Sequence, residues 1–217
     1  VPQSYLDMYP LEEIVLPEVP PDDLNDVPRI GQQFQAQNPM APMELHQWVV
    51  DEGRWDEAVQ AYLSSTTFAD AMVGQLLDAL ERTGRADDTI IVLWSDHGWH
   101  LGEKQLWAKR SLWEESTRVQ LNLAGPGLAK GQCSRSVQLL DLYPTLAELC
   151  RLAKPPQTLE GHSLLPLLRQ PSAAWAHPAI TTFHRNDHTV RSERWRYIRY
   201  ANRDEELYDC LLYTSDA

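Results

Sequence analysis

Residues 95–109 bring together side chains that can bind a metal ion. Asp96 and His97 are consecutive, and Gly98 follows them where an extended chain can turn. A carboxylate and an imidazole are both metal ligands, and a turn at Gly98 lets them reach one ion, or an ion and its substrate. Asp96 and His97 are therefore candidate metal ligands. The alternative is that Asp96 caps the turn and His97 bonds to the backbone.

A lysine follows this pair in the same stretch of chain. Lys109 stands twelve residues beyond His97, in a loop that also contains Lys104. A lysine beside a metal ion suits an anionic oxyester substrate, because the two cations neutralise the charge that develops as the ester bond breaks. We predict that the Lys109 ammonium points toward the pocket of Asp96 and His97, and that Lys104 is solvated.

Two further groups of titratable residues are candidates for chemistry. Glu114 and Glu115 could act as a general acid and base, but adjacent side chains diverge, so a solvated face or an ion pair with Arg118 is the favoured interpretation. His184 and His188 flank a polar turn that we predict to be a hairpin tip.

Hydrophobic patterning indicates the elements that must position these residues. Apolar residues recur with helical spacing over residues 55–83, which predicts one long amphipathic helix. Residues 89–94 form a β-branched apolar run that predicts a strand buried on both faces of a parallel sheet. A second strand is expected at 119–124 and a helix at 139–152. Ligand sites lie beyond the carboxyl ends of parallel strands, which places the Asp96 loop at the functional edge.

The two ends of the chain have different compositions. Residues 1–47 are rich in proline and in acidic residues, which predicts an extended surface segment. Near the other end, four short apolar runs separated by turns predict a small antiparallel sheet. These runs are residues 179–183, 188–192, 195–200 and 206–209. The fold class is therefore α/β, with a mostly parallel sheet between helices and a small antiparallel C-terminal subdomain.

Charge and composition exclude several classes of protein. The 217 residues include 31 acidic and 19 basic side chains, giving a net charge of −12, which opposes binding to the phosphates of nucleic acid. No apolar run is long enough to predict a membrane span. Three cysteines, Cys133, Cys150 and Cys210, are too few for a disulfide framework or a four-thiolate zinc site.

The order of these motifs resembles the iduronate-2-sulfatase branch of the sulfatases, in the alkaline phosphatase superfamily. Residues 95–104, 107–109 and 112–119 carry the resemblance. Supporting matches lie at residues 61–63, 68–70, 139–146, 191–200 and 206–209. The resemblance covers nearly the whole chain. It implies that residues 1–170 are part of the catalytic α/β domain, that 171–209 form the small C-terminal subdomain, and that 210–217, which depart from the pattern, are a non-native tail.

The resemblance also implies an activity and a site. The expected reaction is hydrolysis of a sulfuric ester on a sulfated carbohydrate or a glycosaminoglycan-type substrate, with one calcium ion and a formylglycine made from a Cys or Ser. Asp96 and His97 match the second pair of metal ligands, and Lys109 matches the lysine that contacts the sulfate. The family's small subdomain closes one side of the pocket, which makes His184 a candidate substrate-binding residue. Most other sulfatases have Asn where His97 stands, which favours the iduronate-2-sulfatase branch. The branch implies a periplasmic, secreted or lysosomal location.

The catalytic constellation of the family is only partly present. None of the three cysteines stands in the family's C/S-x-P/A-x-R signature. The nucleophile and the first pair of metal-binding aspartates lie upstream in the family, so we expect the 217-residue chain to be inactive alone. Two alternatives stay open: a metal-dependent phosphate or phosphonate ester hydrolase of the same superfamily, and a non-catalytic remnant.

Overall fold

The structure, a computed structural model, describes residues 1–36, 44–153 and 155–211. The α-helices in these ranges are α1 (Gln3–Leu6), α2 (Arg29–Ala36), α3 (Glu44–Asp51), α4 (Trp55–Arg82), α5 (Glu114–Thr117), α6 (Leu142–Leu149) and α7 (Leu165–Arg169). The strands are β1 (Ile91–Trp94), β2 (His100–Leu101), β3 (Trp107–Ala108), β4 (Leu121–Ala124), β5 (Ala179–Thr182), β6 (His188–Arg191), β7 (Trp195–Arg199) and β8 (Glu205–Asp209).

Short 3-10 helices connect several of these elements. They span Leu11–Glu13, Ala86–Asp88, Glu103–Gln105 and Leu139–Asp141. The helix predicted over 139–152 is therefore a 3-10 turn followed by α6, with Pro144 in the first helical turn, where the missing N–H of proline does no harm.

The described residues form two compact units. The first unit contains residues 1–89 and 97–110, and helix α4 is its longest element. Acidic residues in the first turn of α4 and Arg82 in its last turn complement the helix dipole. Gly84 then adopts a left-handed conformation, with φ +68°, as glycine commonly does after a helix. The predicted helix over 55–83 is confirmed.

The N-terminal segment packs against α4. The ring of Tyr5 lies edge-on to Phe68, with centroids 5.3 Å apart. The Tyr9 hydroxyl lies 2.5 Å from the Thr67 hydroxyl, and the Gln60 side-chain amide donates to the Tyr9 carbonyl at 2.7 Å. These contacts tie α1 and the turn after it to the middle of the long helix.

The expectation of an extended segment over residues 1–47 is wrong for the part that the structure describes. Helices α1 and α2 and the start of α3 lie within it. The prolines do not interrupt these helices, because Pro2 and Pro10 immediately precede helical turns and Pro28 precedes α2. A proline costs little at that place, where the backbone N–H would have no helical partner. Residues 37–43 lie outside the described residues.

The second unit contains residues 90–96 and the described residues from Ser111 onward. Strand β1 pairs with β4 in antiparallel register, Ile91 opposite Ala124 and Trp94 opposite Leu121. The expectation of a mostly parallel sheet is therefore wrong for the strand pairs that the structure describes, all of which are antiparallel. Burial on both faces of β1 is also wrong, because Leu93 and Trp94 are exposed.

The predicted C-terminal antiparallel sheet is confirmed. Strands β5, β6, β7 and β8 pair in chain order, each antiparallel to the next. Side chains alternate along β7, where Arg196 and Ile198 are buried and Trp195 is exposed. The α/β fold class predicted from the sequence is confirmed by this combination of helices and small sheets.

Three further predictions concern a membrane span, the C-terminal tail and the division of the chain. Among the helices of the described ranges, none combines the length and apolar character needed to cross a bilayer. The non-native character of 210–217 stays a prediction, because residues 212–217 lie outside the described residues. The division of the chain at residue 170 also stays a prediction.

Candidate active site

The Asp96–His97 peptide stands where β1 has ended. The ladder between β1 and β4 continues one residue past the strand, where the Ser95 N–H donates to the Gln120 carbonyl at 3.2 Å. Asp96 is then exposed and is the last residue of this segment in the second unit. His97, the next residue, is half-buried and belongs to the first unit.

His97 and Lys109 are in direct contact within the first unit. The Lys109 ammonium nitrogen Nζ lies 2.6 Å from His97 Nε2, and His97 Nδ1 lies 2.9 Å from the Gly98 carbonyl oxygen. A carbonyl can only accept and an ammonium can only donate, so one arrangement satisfies both bonds. In that arrangement the neutral ring carries its proton on Nδ1 and presents the Nε2 lone pair to a cation. The structure brings the Lys109 ammonium to His97, and the roles predicted for the two residues stay predictions.

An aromatic side chain stands beside this pair. The ring of Trp99 lies 6.3 Å from the His97 ring, tilted by 32°. Trp99 keeps 41% of its surface exposed, while the next residue, His100, is fully buried at 0%. At the start of β2 the His100 side chain is therefore buried, while the preceding indole of Trp99 is exposed beside His97.

The hairpin of β2 and β3 carries Lys109. Strand β2 pairs with β3 in the register His100 to Ala108 and Leu101 to Trp107, and Lys109 follows directly. The Trp55 indole N–H donates to the Leu101 carbonyl at 2.6 Å, which attaches the hairpin to the start of α4. Trp107 is buried in an apolar cluster whose other members are Val49, Leu45, Trp55, Ala58 and Leu101.

The turn of the hairpin accepts only glycine at residue 102. Gly102 has φ +122°, a conformation that side chains rarely adopt. A Cβ atom at this position would overlap the Trp55 ring, with Trp55 Cε2 only 2.8 Å away. The glutamate after it, Glu103, accepts the Leu101 N–H at 2.6 Å. Close packing on Trp55 therefore determines the path of the turn.

The expectation that Lys104 is solvated is wrong. Lys104 is 7% exposed, and its ammonium nitrogen lies 2.6 Å from Asp23 Oδ1 and 3.2 Å from the Asp23 carbonyl oxygen. A buried ammonium needs such partners, because burial without them costs several kcal/mol, roughly 5 or more. Sequence reasoning missed the pair because 81 residues separate its members.

Burial also changes the titration of His100. Removal from solvent lowers the pKa of His100 to about 4, and the nearby Lys104 charge acts in the same direction. A backbone hydrogen bond with Glu103 opposes the shift. His100 is therefore a neutral packing residue of the hairpin at physiological pH.

His184 lies in the second unit, at the predicted hairpin tip. Its Nδ1 is 3.6 Å from Asp187 Oδ2, and the Asp187 N–H donates to the His184 carbonyl at 3.2 Å. Asp187 is buried and accepts the Ala201 N–H at 2.7 Å. These bonds explain the shape of the tip, and the substrate-binding role of His184 stays a prediction.

Glu114 is the centre of an ion cluster that sequence reasoning found only in part. Its predicted pair with Arg118 is confirmed at 3.6 Å. Arg196, which is buried, and Arg191 also donate to Glu114, through their Nε atoms at 3.1 Å and 3.2 Å. Burial by itself would raise the pKa of Glu114, but the two arginines outweigh it and hold that pKa below its ordinary value. This cluster joins α5 to strands β6 and β7.

Comparison with known proteins decides the family. Residues 17–152, more than half of the chain, match the family model described as Sulfatase. The chain belongs to the sulfatase family. Residues 102–213 of this sulfatase chain also match the model described as N-sulphoglucosamine sulphohydrolase, C-terminal.

Individual relatives agree with that assignment. A sulfatase of Formosa agariphila is 42% identical over 210 residues, which are 96% of this chain and 41% of the relative. The solved structure of a 2-O GAG sulfatase is 27% identical, with a TM-score of 0.76 over 92% of this chain and 46% of that one. This sulfatase chain therefore spans less than half the length of the relatives that it matches.

A second similar structure is a phosphonate monoester hydrolase from Silicibacter pomeroyi. It is 22% identical, with a TM-score of 0.79 over 96% of this chain and 46% of that one. At this identity the likeness concerns the fold alone. The partial alkaline-phosphatase-like sulfatase fold predicted from the sequence is confirmed by these neighbours.

The donor groups of this sulfatase chain suit a metal ion but do not complete a site. Among residues 1–36, 44–153 and 155–211, no three His, Cys, Asp or Glu side chains form a cluster that could hold a metal. The Nε2 lone pair of His97 faces a cation, as a metal ligand requires, and Asp96 offers an exposed carboxylate. An imidazole nitrogen and a carboxylate are both ligand types that divalent ions accept, and the assignment of Asp96 and His97 to one metal site stays a prediction.

Proposed function

We propose that this chain supplies the sulfate-binding lysine and half of the metal ligands of a sulfuric ester hydrolase of the iduronate-2-sulfatase type. The observation that carries the proposal is the contact between Lys109 and His97 in a member of the sulfatase family. Asp96 and His97 are the proposed metal ligands, and Lys109 is the proposed catalytic and sulfate-binding residue.

Lys109 suits the binding of a sulfate oxygen. Its ammonium is exposed and has three N–H donors, of which one is directed at His97 Nε2. The remaining donors are available to an anionic oxygen. Because charge accumulates on the oxygens of the ester as its bond breaks, an ammonium held in place stabilises the transition state more than the ground state.

The substrate class that we propose is a sulfated carbohydrate. Trp99 offers an exposed indole face beside the Lys109–His97 pair, on which the apolar face of a sugar ring can pack while its sulfate reaches the lysine. The similar 2-O GAG sulfatase supports a glycosaminoglycan with a 2-O-sulfate as the first candidate. His184 is kept as a further candidate contact to the substrate.

Calcium is the metal that we propose, since the resemblance implies it and an aspartate oxygen suits this hard cation. A calcium ion held by Asp96 and His97 would draw charge from the sulfate oxygens. The proposed nucleophile is a formylglycine, and Cys133, Cys150 and Cys210 do not supply it, because none stands in the C/S-x-P/A-x-R signature.

Hydrolysis of a phosphonate monoester is the second candidate function. This chain shares its fold with the Silicibacter pomeroyi hydrolase, with a TM-score of 0.79, and that fold is compatible with this alternative. A lysine beside a metal ligand would serve either anion, because sulfate and phosphonate esters both develop charge on terminal oxygens.

Initial rates with matched esters test the proposal. The full-length gene product that contains this chain is assayed with 4-nitrophenyl sulfate, a 4-nitrophenyl phosphonate monoester, and 2-O- and 6-O-sulfated disaccharides. We expect the highest kcat/KM with the 2-O-sulfated disaccharide, and loss of that activity in Asp96→Ala and His97→Ala. A higher kcat/KM for the phosphonate would favour the second candidate, and no preference between the disaccharides would contradict the 2-O assignment.

A further inference from the structure

Lys104 is attached to a distant part of the first unit. Its ammonium bonds to both the carboxylate and the carbonyl oxygen of Asp23, at 2.6 Å and 3.2 Å, and both side chains are largely buried. Asp23 lies in the N-terminal segment, between α1 and α2. The pair therefore joins that segment to the turn of the β2–β3 hairpin, five residues before Lys109.

The hairpin needs such an attachment because its backbone is in unfavourable conformations. Lys104 and Gln105 are consecutive residues with φ +55° and +54°, and Ala108 has φ +70°. Residues other than glycine rarely adopt the left-handed region, and they remain there only when the surrounding structure holds them. The bonds of Lys104 to Asp23 act on the first of these three residues.

The conformation of the hairpin determines where Lys109 points. Ala108 pairs with His100 and is left-handed, so the chain leaves β3 in a direction that an ordinary strand would not take. Lys109 is the next residue, and its ammonium meets His97 Nε2 at 2.6 Å. A hairpin with ordinary backbone angles at residues 104, 105 and 108 would direct the Lys109 side chain elsewhere.

We propose that Lys104 is a positioning residue, which through Asp23 holds the hairpin in the conformation that places the Lys109 ammonium on His97 Nε2. Its value for catalysis depends on the function proposed above, whereas the placement of Lys109 can be measured without turnover. Lys104 acts through Lys109 and has no direct contact with the ester in this proposal.

The ring nitrogens of His97 report the placement directly. Nitrogen NMR of the 217-residue chain gives the Nε2 resonance of His97, and Lys109→Met defines its position without the ammonium. We expect Lys104→Met to move the resonance at least half of the way to the Lys109→Met position. Lys104→Arg, which keeps a cation for Asp23, is expected to restore most of the wild-type resonance.

A control separates positioning from general stability. Val59→Ala creates a cavity in α4 of the same unit and is expected to lower stability without moving the His97 resonance. If Lys104→Met proves insoluble, Asp23→Asn removes the charge of the partner and must produce the same shift. A wild-type His97 resonance in folded Lys104→Met, or in folded Asp23→Asn, overturns the proposal. Because no ester is present, this result does not depend on whether the protein hydrolyses sulfate or phosphonate.

Discussion

Lys109 Nζ lies 2.6 Å from His97 Nε2, so a cation already occupies the lone pair that a metal ion would use. If His97 bound a metal ion through Nε2, as proposed, the ion would take the place of the ammonium, and Lys109 would be available to an anion. Two cations would then stand side by side, and the sulfate of a substrate would be the group that neutralises them.

Removal of the Lys109 charge should reduce turnover. In the full-length gene product, Lys109→Ala is expected to lower kcat/KM about 10- to 1000-fold, the range for the loss of one stabilising contact in the transition state. Lys130→Ala, which removes an exposed lysine of the second unit, is the matched control and should leave kcat/KM unchanged. Equal activity of the two variants would remove Lys109 from the proposed catalytic residues.

The chain by itself should bind calcium weakly. Two ligands are fewer than the six to eight oxygens that calcium takes, so we expect a Kd of roughly 1 mM or more. Titration calorimetry of the 217-residue chain measures it, with Asp96→Ala expected to abolish the signal and Asp70→Ala, an exposed residue of α4, to preserve it. The same chain should not hydrolyse 4-nitrophenyl sulfate. Micromolar affinity that survives Asp96→Ala would contradict the assignment of the ligands.

The sequence was most informative where structure depends on neighbouring residues. Helix α4 and the strands β5 to β8 follow from periodicity and turn residues, which act over a few positions. Lys109 was expected near His97, and the contact is there. The burial of Lys104 depends on Asp23, and the ion cluster of Glu114 depends on Arg191 and Arg196.

No local sequence pattern indicates such long-range ion pairs, so they could not be predicted from the sequence. The prediction of a parallel sheet was wrong for β1 and β4 for a related reason. An apolar run predicts that a strand is present, but its direction relative to its partner depends on the path of the intervening chain.

Substitution of Gly102 should disturb the hairpin more than substitution of another left-handed glycine. Gly53 has φ +61° and open space around it, so Gly53→Ala should cost about 1–2 kcal/mol from its backbone alone. Gly102→Ala adds overlap with the Trp55 ring and should cost at least about 1 kcal/mol more. Urea unfolding compares the two variants. Equal losses would mean that Trp55 moves aside easily.

Protonation of His100 at acidic pH should destabilise the β2–β3 hairpin. The pKa of His100 is lowered to about 4 by burial, from an ordinary value of 6.5, so the unfolded chain binds more protons between these two values. The free energy of unfolding is therefore highest above pH 6.5. It decreases as the pH falls toward 4, by up to about 3 kcal/mol. Hydrogen exchange of the Gly102 amide, which bonds to the Leu106 carbonyl, measures the loss.

His100→Gln should remove this pH dependence, although it lowers protection at every pH. His184→Gln, which changes an exposed histidine of the second unit, should leave the dependence of the Gly102 amide as in the wild type. A pH dependence that persists in His100→Gln would assign it to another group.

The ion cluster of Glu114 should stabilise the second unit at neutral pH. Glu114→Gln leaves Arg196 buried without its carboxylate, and we expect a loss of about 2–4 kcal/mol in the free energy of unfolding. Glu148→Gln, on the exposed face of α6, is the matched control and should cost less than about 0.5 kcal/mol.

The pKa of Glu114 is lowered in the folded state, because Arg196 and Arg191 outweigh the effect of burial. Its contribution is therefore present above the ordinary range of a glutamate and disappears as the pH falls through the lowered pKa. Urea unfolding of wild type and Glu114→Gln at a series of pH values should give curves that converge in that acidic range, and a constant difference between them would show that the carboxylate charge is not what stabilises the cluster.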